Sequence, residues 1–223
     1  MGKVNELTSE DFYEIIHRIY EIMKKEEKYL TDLDAAIGDA DHGINMHRGF
    51  SLAVERLKDV DPKNSDIGTI LQTTGFALLE TVGGAAGPLY GMWFTQMGME
   101  TSGKTSLNKE EIVKMFEVGL KTVQETGGGT VPGEKTMVDA LYPAVEEMKK
   151  ALEDPNCDLV CMFEKATKAA EEGMKATIPM IAKKGRASYL GERSRGHQDP
   201  GATSTYYIIR TFYEYVKEKA EKS

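Results

Sequence analysis

Apolar positions recur at a helical period along almost the whole chain. Phe12, Ile15, Ile16, Ile19, Ile22 and Met23 follow i, i+3, i+4, i+7 spacing behind a polar start at Thr8 and Ser9. This predicts a first helix running on to about Asp34. A second amphipathic segment runs from about Asn45 to Leu57, and DPKNS breaks it. Asn64 or Ser65 is placed to cap a third, with Ile67, Ile70, Leu71, Leu78 and Leu79 on its apolar face. GGAAGPLYG separates that helix from a short fourth segment around Met92, Trp93 and Phe94.

Asn108 with Glu110 and Glu111 opens a fifth, whose stripe is Ile112, Met115, Phe116 and Leu120. It ends at GGGTVPGEKT. A sixth spans Met137 to Ala151 and stops at EDPN, Asp158 starts a seventh, and the last runs from about Ala202 to Lys219. No segment shows a convincing strand alternation. The expected fold is therefore all-α, a closed bundle of about eight antiparallel amphipathic helices in one domain over residues 1–223. No linker-like shift in composition and no fixed repeat divides it.

Charge narrows the partners. The 223 residues carry 28 Lys plus Arg against 36 Asp plus Glu, a net charge of −8. Counterion release on nucleic acid or an anionic membrane needs clustered cations, so neither is expected. The opening MGKVNELTSEDFYEII lacks an apolar leader core and no apolar run spans a bilayer, which points to the cytoplasm. Cys157 and Cys161, four apart in CDLVC, read as small apolar residues on one core-facing helix stripe. With four histidines and no second cysteine pair, nothing suggests a structural zinc site.

The chemistry gathers in the glycine-rich stretches. Glycines concentrate between the helices, in GDADHG (38–43), GGAAG (83–87), GGGTVPGEKT (127–136) and GHQDPGATS (196–204), each ahead of an expected helix. A glycine turn feeding a helix N-terminus offers free N–H groups and the positive end of a dipole to an anion. Alternate turns of an antiparallel bundle open at one end, so these stretches can share a rim. The competing explanation is that glycine merely ends the preceding helices. No G-x-x-x-x-G-K-[ST] sequence is present, which rules out a P-loop.

Asp34, Asp39 and Asp41 fall within eight positions on this rim. Helix capping accounts for one of them and not for three. Three hard carboxylates without cysteine suit Mg²⁺, which also accepts water and phosphate oxygens. Together with His42, Asn45 and Arg186 they form a kit for phosphoryl transfer. Lys183, Lys184, Arg186, Arg193 and Arg195 make a local basic patch with Tyr189 and Leu190 at its centre. It suits an acidic partner or closure over a nucleotide, against the plainer reading of a solvated loop.

DAAIGDADHG, GGAAGPLYG, GEKTMVDAL and RASYLGERSRGHQDPGATS together resemble the L subunit, or C-terminal L domain, of dihydroxyacetone kinases. The resemblance runs in order from about position 30 to 205. It implies an eight-helix barrel with a nucleotide–magnesium site at one rim, two Mg²⁺ ions on Asp34, Asp39 and Asp41, and ADP (or ATP) as the nucleotide. His42, Gly43, Ile44 and Asn45 would meet the phosphates and nucleotide, and Ala85 and Ala86 would wrap the phosphate chain. Gly128 and Met137 would lie near the nucleoside, with Arg186, Asp199, Pro200 and Gly201 completing the pocket. Two departures stand out. Family members often read GGASG where this chain has GGAAG, and GDGDHG where it has GDADHG; Ala40 there is expected to need only an allowed φ.

A lone L chain further implies the phosphotransferase type. Such a subunit takes phosphate from a phosphohistidine M protein onto bound ADP and passes it to dihydroxyacetone on a K subunit. A transcription regulator and a second copy of the chain, as a homodimer, are further partners that the resemblance admits. The competing functions are an ATP-dependent L subunit of a ketose kinase, a nucleotide-sensing regulatory protein, and a stand-alone Asp/Mg²⁺ phosphohydrolase.

Overall fold

The computed structural model describes residues 2–223, and helices account for most of them. In chain order they are α1 (Ser9–Lys25), α2 (Glu27–Ile37), α3 (His42–Leu57), α4 (Ile67–Thr81), α5 (Ala86–Glu100), α6 (Lys109–Thr126), α7 (Val138–Ala151), α8 (Leu159–Ala176) and α9 (Pro200–Glu221). A 3₁₀ segment, Arg186–Ser194, precedes α9. The single first helix expected from periodicity breaks at Glu26, so Asp34 belongs to α2. The fourth segment is a full 15-residue helix, α5, because Pro88 falls in its first turn, where a missing N–H breaks no helical bond. Asp66, not Asn64 or Ser65, caps α4 by accepting from Thr69 N.

Side-by-side packing runs α1–α3–α4–α5–α6–α7–α8–α9 and back to α1, which closes the ring. With α2 extending the stave of α1, this is an all-α barrel of eight antiparallel staves. Its centre is apolar. Phe12, Phe116, Phe163 and Phe212 meet at centroid distances of 5.3 to 6.1 Å, and Phe50, Phe94, Trp93 and Tyr90 form a second aromatic run. All eight side chains are buried. Glycine also works inside the helices, not only between them. A Cβ on Gly75 would stand 2.6 Å from Thr95 N and 2.9 Å from Gly91 O, so α4 and α5 approach backbone to backbone.

Two three-residue strands, absent from the sequence reading, pair antiparallel: β1 (Glu6–Thr8) with β2 (Ser106–Asn108), Leu7 opposite Leu107. They are too short to show alternation, yet they tie the entrance of α1 to that of α6. Cys157 and Cys161 are joined in a disulfide rather than lying as two thiols on one helix stripe. Cys157 sits before Asp158, the N-cap of α8, so only Cys161 is helical. No helix among the described residues is long and apolar enough to cross a membrane.

Candidate active site: a two-chamber cleft at one rim

The antiparallel order puts the N-termini of α3, α5, α7 and α9 at one end of the barrel, with the four glycine-rich stretches that feed them. Two adjoining cavities open there. The larger, about 430 Å³, is walled by Pro88 and Leu89 of α5, Val123 of α6, and Met137 and Val138 at the start of α7. The smaller, about 170 Å³, is lined by Asp34, Asp39, Asp41, Asn45 and Arg186. His42, Ala85, Ala86, Lys184, Gly185 and Asp199 line both and form the threshold between them. One chamber is chiefly apolar, the other acidic.

In the acidic chamber Asp34 reaches back from the last turn of α2. Its Oδ2 accepts from the backbone N–H of Asp41 at 2.9 Å and of His42 at 3.0 Å, so a side chain from α2 serves the N-terminus of α3. Burial, followed by hydrogen bonding and repulsion from the Asp34 carboxyl, raises the pKa of Asp41. Asp39 instead faces Arg186, whose Nε lies 2.8 Å from its Oδ1. Among the described residues no three acidic, histidine or cysteine side chains converge as a ready cation cage. The donor set nonetheless fits a hard divalent ion: three carboxylates line one small chamber, with no sulfur among its residues.

The fold of the next residue departs from expectation. Ala40 adopts φ +60°, in the left-handed region, instead of an ordinary φ. The turn between Asp39 and Asp41 thus carries a strain of about 1 kcal/mol that glycine would avoid.

At the threshold, His42 is buried, and burial lowers its pKa to about 4, so the ring is neutral near pH 7. Its Nε2 hydrogen-bonds Ser204 Oγ at 2.8 Å. Tyr90 OH lies 2.6 Å from the same Oγ and donates to Gly201 O at 2.9 Å. This network fixes the ring plane and joins α3, α5 and α9. Asp199 caps α9, accepting from Ala202 N at 2.8 Å, and burial raises its pKa to about 7. Helix α5 has no side chain capping its N-terminus, and Ala85 and Ala86 at that end line both chambers.

Of the other residues singled out from sequence, Asn45 is buried in the wall of the acidic chamber and Pro200 lines it too, while Met137 and Gly201 line the apolar one. Gly43, Ile44 and Gly128 line neither. Gly43 is where α3 meets α2, since a Cβ there would stand 1.9 Å from Glu27 O. Ile44 points outward, 42% exposed. Gly128 has φ +74° in an open turn, and its neighbour Gly127 takes the lining position. Sequence reasoning missed Tyr90, Lys135 and Ser204, and gave Lys184 only as part of the basic patch, whereas it lines both chambers. Tyr90 and Ser204 look like ordinary helix residues, and no spacing marks them; the lysine in GEKT was the one visible signal.

Residues 36–214 match the DAK2 domain family. The chain is 47% identical over 201 residues to the ADP-binding subunit DhaL of the PEP-dependent dihydroxyacetone kinase of Escherichia coli (strain K12), covering 90% of this chain and 94% of the relative. It is 41% identical over 207 residues to the ADP-binding subunit DhaL of a second such kinase, from Listeria innocua serovar 6a, covering 93% of this chain and 94% of the relative. Among solved structures, the dihydroxyacetone kinase from C. freundii in complex with AMP-PNP and Mg²⁺ superposes with a TM-score of 0.67 at 25% identity. That alignment covers 91% of this chain but 33% of the solved one, so this chain spans about a third of the C. freundii enzyme. The chain therefore belongs to the DAK2-domain family, that of the ADP-binding L subunits of dihydroxyacetone kinases.

Proposed function

We propose that the chain is the phosphoryl-transfer subunit of a phosphotransferase-type dihydroxyacetone kinase, working in the cytoplasm as one nucleotide-binding domain over residues 1–223. The observation that carries the reading is the pairing of an apolar chamber with an acidic one across a shared threshold. An adenine nucleoside suits the first, and a diphosphate with its cations suits the second. The names of the relatives support ADP, and the AMP-PNP–Mg²⁺ complex of the C. freundii enzyme supports magnesium.

In this reading Asp34, Asp39 and Asp41 hold two Mg²⁺ ions, which when bound neutralise charge on the phosphate oxygens. The uncapped N-terminus of α5 and the Ala85–Ala86 turn bind phosphate through backbone amides. Arg186 exchanges Asp39 for a phosphate oxygen, a planar bidentate match. Neutral His42 orients the phosphate chain without adding charge and needs no covalent phosphorylation, since ADP is the acceptor. Transfer runs from a phosphohistidine M protein to bound ADP and on to dihydroxyacetone on a K subunit.

The test is to identify by mass spectrometry the nucleotide that copurifies, then to measure phosphoryl transfer with purified K and M proteins. Tightly held ADP and transfer dependent on both partners are expected. Rapidly exchanging ATP with activity lacking M would replace the donor assignment, and phosphate release from nucleotide without any partner would replace the whole reading.

A further inference from the structure

Lys135 is a buried cation whose ammonium hydrogen-bonds backbone carbonyls, with the carboxyls of Asp199 and Asp139 close enough to act on its charge. It is 2% exposed, and its Nζ donates to the carbonyl oxygens of Thr177 at 2.6 Å and Met180 at 3.2 Å, and also to that of His197. Ile178 O stands at the outer limit, 3.5 Å. Three of these carbonyls follow the last turn of α8, where the negative end of the helix dipole favours a cation. The fourth opens the turn into α9. Lys135 also holds φ +64°, a left-handed conformation that costs a side-chain-bearing residue about 1 kcal/mol and persists only where its surroundings fix it.

The cage is tied to the cleft on every side. Gly133 N and Thr136 N donate to the two oxygens of Asp139 at 2.6 and 2.8 Å, holding the residues that flank Lys135. Lys183 N donates to Glu134 O at 3.1 Å, and Asp199 N to Thr177 Oγ1 at 3.0 Å. Three walls of the larger chamber, carrying Met137, Lys184 and Asp199, are thus anchored within a few residues of one ammonium group.

We propose that Lys135 is a positioning residue, a built-in cation occupying a carbonyl cage of the kind that binds potassium or ammonium. It sets the spacing between the Thr136–Met137 wall and the Asp199–Gly201 turn. Its consequence for ligand affinity rests on the nucleotide reading above; its consequence for the two walls does not.

Lys135→Gly tests it, because glycine accepts the left-handed backbone while the ammonium is removed together with its stem. In the nucleotide-free protein, amides of residues 196–201 are expected to exchange at least about tenfold faster than in wild type, while core amides of α6 and α9 keep their protection. ADP–Mg²⁺ affinity by calorimetry is expected to fall by about tenfold to a hundredfold, as for other misplaced binding walls. Methylammonium added to Lys135→Gly is expected to restore both quantities in part, and tetramethylammonium neither. Unchanged exchange at 196–201 overturns the proposal, as does a lowered melting temperature with wild-type exchange there and wild-type affinity. If wild type does not bind ADP, the functional reading fails, and exchange with methylammonium rescue decides the positioning role alone. If Lys135→Gly does not fold, Lys135→Met, which keeps the apolar stem, takes its place in the same measurements.

Discussion

The two ends of the barrel treat their helix N-termini differently. At the end away from the cleft, Thr8, Asp66, Asn108 and Asp158 each cap their own helix with a side-chain oxygen, two of them within full capping boxes. That end is also laced by the Leu7–Leu107 pairing and the disulfide. Lys109 there donates to the carbonyls of Ala151, Asp154 and Cys157. At the cleft end only Asp199 caps its own helix, and α3, α5 and α7 begin without such a bond. One end satisfies its backbone with its own caps; at the other, Asp34 of α2 serves α3, Thr136 Oγ1 accepts from Val138 N of α7 at 3.1 Å, and α5 keeps its first amides for a ligand. The same element of secondary structure is closed off where it holds the barrel and left open where it can bind.

The sharpest way to break this contrast is to strike one end and read both functions. Asp39→Asn is expected to lower phosphoryl transfer more than about a hundredfold, the scale of losing a group that stabilises transition-state charge, with the helical spectrum unchanged. Full transfer in this variant would remove Asp39 from the cation site. Lys109→Met, at the far end, is expected to cost about 2 kcal/mol in denaturant unfolding by orphaning three carbonyls, with transfer kinetics at the wild-type level.

A smaller effect marks the cleft end by pH. Burial lifts the pKa of Asp199 to about 7 in the folded chain from an ordinary value near 3.8, with Asp139 and Asp34 adding to the rise and the Ala202 amide and Lys135 opposing it. Folding therefore holds this proton more tightly than the unfolded chain does. The stabilisation is complete below the unfolded value and lost as pH rises toward 7. Asp199→Asn, which keeps the cap, is expected to flatten that part of the nucleotide-free stability profile measured by denaturant unfolding. Least of all, Ala40→Gly is expected to raise stability by about 0.5 to 1 kcal/mol by relieving the φ of +60°. A loss of stability would mean that the turn tolerates alanine without strain.

What was legible in the sequence follows the reach of local physics. Apolar periodicity marks the staves because each turns one face to the same core, and Thr8, Asn108 and Asp158 mark starts because capping is local. Alternation of direction then brings the glycine turns to one rim. The break at Glu26 carries no glycine or proline and so left no sign. The backbone contact at Gly75 and the Cys157–Cys161 bond depend on what lies opposite or how a turn folds, which periodicity does not encode. In the cleft, the aspartates were visible by their crowding. Ser204 and Tyr90 were not, because their role is set by His42, 162 residues away in sequence from Ser204. Ala40 was misjudged because an alanine gives no hint of a left-handed turn.

Closing a ring with an even number of alternating staves returns the polypeptide to the side on which it set out. Gly2 N donates to Ala220 O at 3.1 Å, so both tails leave together, diametrically opposite the mouth. Anything tethered to either tail, whether an affinity handle, a fluorophore or another folded unit, would hang from the back of the molecule and leave the approach to the cleft clear.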